Sequence, residues 1–226
     1  MNIVVRNFGT KDYQTVWDLM SGHTNQRKSR SQDEFWFTQH LPVYTLGKAG
    51  KEDHILDAGA IPVVKSDRGG QVTYHGPGQA VVYTLLDVKR LKIGPRELVR
   101  RIESGIIEYL SDIGIQSGRK EGAPGVYVGG SKIAALGLRI RNGFSYHGLA
   151  INVDMDLEPY IRINPCGYKG QQVTQIADIL LEPLSTEAVV KGLLPCLFGS
   201  LYQDRMYSVT NRTEFDELSN KIIGIV

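Results

Sequence analysis

The chain has 226 residues, long enough for one sizeable hydrophobic core, and its 42% apolar and 22% charged residues exclude the disordered, fibrous and collagen-like classes. A net charge of +2 sets it apart from strongly basic nucleic-acid binders, and no apolar run approaches the roughly 20 residues that a bilayer-spanning helix needs. Two cysteines, Cys166 and Cys196, lie in dissimilar surroundings and read as thiols, since a lone pair in a chain of this size is weak evidence for a disulfide.

The first residues, Met1 to Asn7, are strand-like and carry no basic stretch followed by an apolar segment and a small-residue cleavage site, which predicts a cytoplasmic protein. After a strand over about residues 2–8, Thr10 is placed to cap a helix in which Tyr13, Val16, Trp17 and Met20 share one face. That helix runs toward the polar region 26–33, ahead of a short element at Glu34 to Phe37 and a strand over 41–47 stopped by Gly47. Residues 47–56 read as a loop. The β-branched run 61–65 turns through Ser66 to Gly70 into a strand over 71–75, and residues 79–86 are apolar enough for a buried central strand.

Pro95 at a first helical position, apolar residues at Leu98, Ile102, Ile106, Tyr109, Leu110 and Ile113, and Gly114 beyond them predict a helix over about 95–113. Strands follow at 125–128, 132–141 and 144–153, the last two joined by the hairpin signal Asn142-Gly143. Residues 174–181 and 186–203 read as helical, with Pro195 expected to kink or divide the second, and 214–226 as a last helix. Hairpin-paired strands with separate helices predict an α+β layer fold and a single domain over 1–226. The basic runs Gln26 to Arg30 and Lys89 to Lys92 read as solvated loops or helix faces, with a docking surface for an acidic carrier protein as the alternative.

Four stretches carry the chemistry. Arg68 to Gln79 has four glycines in twelve residues, so that backbone N–H groups can approach a ligand, and Arg68, Thr73, His75 and Gln79 add polar side chains. Gly130 to Leu138, His147 to Asn152 and Ile163 to Gly167 each combine small residues with one polar or reactive group. Small and apolar residues in Ala134 to Leu138 and Gly148 to Ile151 suit a narrow alkyl slot, in which burying about seven methylenes at ~0.8 kcal/mol each would contribute roughly 5 to 6 kcal/mol of binding. Neither glycine-rich phosphate-binding pattern occurs, and no His/Cys/Asp/Glu spacing matches a zinc site.

Cys166, between Pro165 and Gly167, is placed on a turn that would present its sulfur, and such a thiol needs a nearby base or positive charge to reach the thiolate at neutral pH. Lys132 is the candidate partner, because its same-face strand neighbours Ala134, Leu136 and Leu138 are small or apolar and burial eases its deprotonation. The competing reading makes Lys132 a solvated strand residue and Pro165-Cys166-Gly167 a plain turn. His75 and His147 are read as structural groups.

Arg-Gly-Gly-Gln-Val-Thr-Tyr-His-Gly-Pro-Gly-Gln from Arg68, Gly-Ser-Lys-Ile-Ala-Ala-Leu-Gly-Leu-Arg from Gly130, His-Gly-Leu-Ala-Ile-Asn-Val from His147 and Ile-Asn-Pro-Cys-Gly from Ile163 resemble, in order, the lipoyl(octanoyl) transferases. The resemblance covers roughly residues 40–180 and implies the mixed-sheet fold of biotin and lipoate protein ligases, related to class II tRNA synthetases. It further implies transfer of an octanoyl or lipoyl group from acyl carrier protein to a lysine of lipoyl domains, those of 2-oxoacid dehydrogenases and of the glycine cleavage H protein. Neither ATP nor a metal is implied, and no nucleic acid or membrane is expected as a partner. It places the acyl thioester on Cys166 and acid/base work on Lys132, with acyl binding at Arg68, Gly69, Gly70, Gln71, Val72, Thr73, Tyr74 and His75, at Ala135, Leu136 and Gly137, and at Gly148, Leu149 and Ala150. Cys196 matches nothing in the family and reads as a core thiol. An ATP-dependent lipoate or biotin ligase, an acyl-carrier docking protein and a thioesterase are the alternatives.

Overall fold

The computed structural model describes residues 1–164, 170–203 and 205–212. Its first unit is β1 (Asn2–Lys11), α1 (Tyr13–Gln26) and β2 (Asp33–His40), with β2 returning parallel to β1. Asp12, not Thr10, caps α1, its carboxylate accepting from the Thr15 backbone N–H, because β1 runs on through Thr10. Next come β3 (Val43–Leu46), β4 (Val63–Lys65), β5 (Val72–His75), β6 (Gln79–Leu85), α2 (Val88–Leu91) and α3 (Pro95–Asp112). The chain continues through β7 (Gly118–Lys120), β8 (Ala123–Val128), β9 (Ser131–Arg141), β10 (Phe144–Asn152), α4 (Thr186–Tyr202) and β11 (Ser208–Arg212).

Eight strands form one mixed sheet in the order β11-β1-β2-β6-β10-β9-β8-β7, and β4-β3-β5 form a second, smaller sheet. The predicted return of 61–65 into 71–75 is therefore not a hairpin: β3 lies between β4 and β5, parallel to the first and antiparallel to the second. Asn142-Gly143 does close the β9–β10 hairpin, Asn142 taking φ 53° and Gly143 φ 91° as a tight turn of this hand requires.

Every residue of β6 is buried, and its alternation sorts the core into layers. Ala80 and Val82 face α3 and α4, packing with Leu98, Ile102, Ile106, Leu193 and Leu197. Val81, Tyr83 and Leu85 face the other way, toward Val16, Leu19 and Met20 of α1. The small sheet buries Tyr44, Leu46, Val72 and Tyr74 against Met155, Tyr160 and Ile163.

Two other expectations are corrected. Of 174–181 only a single 3₁₀ turn, Ile176–Asp178, is helical, and Pro195 does not divide α4, which runs from Thr186 to Tyr202. The strand β11 went unread, because five residues with an exposed, polar pattern acquire strand geometry only by pairing with β1. The expected helix over 214–226 lies outside the described residues. Among the described residues no helix is long and apolar enough to cross a membrane.

Candidate active site

A cavity opens between the small sheet, the Arg68–Thr73 turn and strands β6, β9 and β10. Its wall brings together Arg68, Gly70, Gln71, Val72, Thr73 and His75, then Lys132, Ala135, Leu136 and Gly137, and then Gly148, Leu149 and Ala150. Three stretches picked out along the chain thus share one space. Two residues do not join them: Gly69 lines a neighbouring groove, and the Tyr74 ring turns into the core of the small sheet against Tyr44 and Tyr160. Tyr74 and His75 alternate along β5, so one strand face serves the cavity and the other the core. Pro165, Cys166 and Gly167 lie outside the described residues.

Gly148 is required where it stands, since a Cβ there would lie 2.0 Å from the Val82 carbonyl oxygen on β6. The next residue back, His147, holds a left-handed φ of 59°. Its Nε2 donates to Asp67 Oδ1 at 2.7 Å, and Asp67 also accepts from the Tyr146 hydroxyl at 2.6 Å, from Trp17 Nε1 at 3.0 Å and from Arg139 at 3.1 Å. Burial alone would raise the Asp67 pKa, but the hydrogen bonds from His147 and Tyr146 and the charge of Arg139 outweigh it and hold the carboxylate well below its usual range.

His75 and His147 of this wall, and His40 packed against His75, are held neutral. His40, pushed down to about 4 chiefly by burial, donates from Nδ1 to the Lys11 carbonyl at 3.0 Å and accepts the Tyr83 hydroxyl on Nε2 at 2.6 Å. His75, pushed down to about 3 by burial and then by His40 and Arg68, donates from Nδ1 to Gln79 Oε1 at 2.7 Å. Gln79 is oriented in turn by its amide donating to Asn152 Oδ1 and to the Tyr160 hydroxyl. Burial also lowers His147, against the opposing pull of Asp67. The expected donors Arg68 and Gln79 are thus engaged by the protein: Arg68 donates to Thr45 Oγ1 at 2.9 Å and to the carbonyls of Thr45, Gly69 and Gln71, bracing the turn.

Lys132 is only 5% exposed, which removes the solvated reading. Its Nζ donates to the Pro124 carbonyl at 3.3 Å and lies 5.3 Å from the centre of the Tyr127 ring. Its backbone N–H donates to the Gln172 carbonyl at 2.9 Å, and its own carbonyl accepts from Thr174 N at 3.0 Å. The chain that follows the Cys166 stretch is thereby bonded to the lysine's strand. Ahead of that stretch, Asn164 N donates to the His54 carbonyl at 2.8 Å.

Cavity residues that the sequence left unassigned include Tyr13, Val81, Tyr83, Asn152 and Tyr160. Val81 and Tyr83 share a face of β6 by alternation, but no sequence signal says which face meets a ligand. Tyr13 was legible only as a helix residue, yet its ring stacks on His75 with centroids 5.9 Å apart.

The site is thus an apolar cavity in a mixed sheet with Lys132 in its wall. The structure resembles lipoate-protein ligase A solved with ATP at a TM-score of 0.80, with 13% identity, over 100% of this chain and 94% of that one. It resembles biotin protein ligase from Aquifex aeolicus at 0.54, with 13% identity, over 90% of this chain and 69% of that one. The chain belongs to the lipoyl protein ligase A/B catalytic domain family, whose profile matches residues 12–198, and it is an acyltransferase. Its relatives include the octanoyltransferase of Stutzerimonas stutzeri (strain A1501), 59% identical over 192 residues that cover 85% of this chain and 87% of the relative.

Proposed function

We propose that the protein transfers an octanoyl group from acyl carrier protein to a lysine of lipoyl domains, through a thioester on Cys166 with Lys132 as proton carrier. The observation that carries the reading is a buried lysine in the wall of an apolar cavity, its backbone bonded to Gln172 and Thr174, six and eight residues beyond Cys166. In the first transfer, neutral Lys132 takes the thiol proton and the Cys166 sulfur attacks the carrier thioester. The new C–S bond forms as the bond to the carrier sulfur breaks, and the lysine returns the proton to that leaving thiolate. In the second, the acceptor amine attacks the same carbonyl, an amide C–N bond forms, the C–S bond breaks, and the amine proton passes by way of Lys132 to the Cys166 sulfur.

The pinned, neutral histidines suit a wall along which an uncharged chain lies, and burying about seven methylenes there contributes roughly 5 to 6 kcal/mol. Incubation with octanoyl-acyl carrier protein and no ATP is expected to yield an octanoyl adduct by intact mass, labile to hydroxylamine and discharged onto an added lipoyl domain. A Cys166→Ser variant that still forms the labile adduct and transfers would overturn the thioester. A requirement for ATP would favour the ligase reading.

A further inference from the structure

Glu103 projects from the apolar face of α3, beside Ile102 and Ile106, and is only 6% exposed. Acidic side chains are rarely buried this far without a specific partner. Its Oε2 accepts from Arg119 Nε at 3.0 Å, and its Oε1 accepts from the Gly125 backbone N–H at 2.9 Å. That N–H belongs to the same trans amide as the Pro124 carbonyl, the group that accepts from Lys132 Nζ at 3.3 Å. N–H and C=O of a trans peptide point in opposite directions, so the carboxylate lies on one side of this amide and the ammonium on the other. A hydrogen bond from the N–H to a carboxylate polarises the unit and makes its oxygen a stronger acceptor.

We infer that Glu103 is a positioning residue for Lys132, acting through the Pro124–Gly125 amide. This rests on the reading of Lys132 as the proton carrier. The chain of bonds runs from Arg119 to the Glu103 carboxylate, through the amide, to the lysine Nζ, and fixes the nitrogen at one place in the cavity wall. Gly125 completes the arrangement: its φ of 138° suits glycine, and a Cβ there would lie 2.8 Å from the Ala134 carbonyl oxygen and 3.1 Å from Lys132 Cε. Lys120 Nζ lies 5.9 Å from the centre of the same Tyr127 ring.

The test uses the full chain carrying Cys196→Ser, so that Cys166 is the thiol that reports. The rate of alkylation by iodoacetamide is followed from about pH 5.5 to 9.5, with thermal unfolding recorded for each variant. Glu103→Gln keeps an acceptor for Gly125 but loses the charge, and is expected to slow alkylation at pH 7 about tenfold and move the inflection, while Glu103→Ala does more and Glu103→Asp recovers part. In a Lys132→Ala background, adding Glu103→Gln is expected to change the rate less than about twofold, because the two act in series. Equal losses with and without the lysine would make Glu103 merely structural and overturn the inference. So would parent-like profiles for both Glu103→Gln and Glu103→Ala. A parent-like Lys132→Ala profile removes the proton-carrier reading itself, and the inference with it.

Discussion

Two basic side chains line the same cavity from different sheets, and they are employed in opposite ways. Arg68, at the end of the small sheet, is 7% exposed, and Lys132, on β9 of the large sheet, is 5% exposed, so burial does not distinguish them. Their partners do. Arg68 reaches Thr45, Gly69 and Gln71 with its forked guanidinium and ties a glycine-bearing turn to β3. Lys132 donates to the Pro124 carbonyl and lies over the face of the Tyr127 ring. A guanidinium keeps its charge at any working pH and suits a brace, whereas an amine in a dry wall can give up its proton and take it back. Exposure alone therefore does not separate the two; the chemistry of a guanidinium and of an amine does.

The contrast breaks most sharply on the lysine. Lys132→Ala is expected to lower octanoyl transfer by about 10² to 10⁴ while the folded state persists, and Lys132→Arg is expected not to restore it. Rates are read by mass shift of the lipoyl domain, and a fully active Lys132→Arg enzyme would show that charge alone suffices. Arg68→Ala is expected to cost stability, roughly 2 to 4 kcal/mol in urea unfolding, because the Thr45 hydroxyl and carbonyl lose a buried donor. Arg68→Lys, lacking the fork, should recover only part.

The neutral wall sharpens the comparison through pH. His40 and His75 titrate at about 4 and about 3 in the folded protein, against an ordinary 6.5. The unfolded chain therefore binds more protons below 6.5, and their stabilising contribution, fully present above that pH, is lost as pH falls toward 4 and 3. The expected loss is roughly 2 kcal/mol per histidine between pH 6.5 and 5, visible as a falling urea midpoint that His40→Gln makes less steep. The smallest effect belongs to Cys196. Burial, then Glu108 and Asp112, push this thiol up to about 11, and its sulfur makes only long contacts, 3.7 Å to Asp112 Oδ2 and 3.8 Å to the Gly192 carbonyl. Cys196→Ser is expected to change stability by less than ~1 kcal/mol and leave transfer at the parent rate.

Much of the site was legible in the chain because its cues are local. Glycines in the Arg68 turn, small residues beyond Lys132 and the His147-Gly148 pair each announce close backbone approach, and all three stretches meet at the cavity. The departures share a cause. Tyr74 looked equivalent to its neighbours, but strand alternation turned its ring into the core, and Arg68, which lines the cavity, and Gln79 also hold internal acceptors that no local pattern announces. Asp67, beside the recognised turn, was passed over because its partners Tyr146, His147 and Arg139 lie more than seventy residues away.

Composition, periodicity and the ordered motifs determined by themselves an α+β chain with a buried β6, a β9–β10 hairpin, a long α3 and a lysine set among small residues, since each depends on neighbours within a few positions. Only the tertiary structure decided that β3 separates β4 from β5, that β11 exists, that the histidines are held neutral and that Glu103 reaches the Pro124–Gly125 amide from α3. Those features arise from contacts between residues far apart in sequence, and burial and hydrogen-bond satisfaction, which fix them, have no local signature.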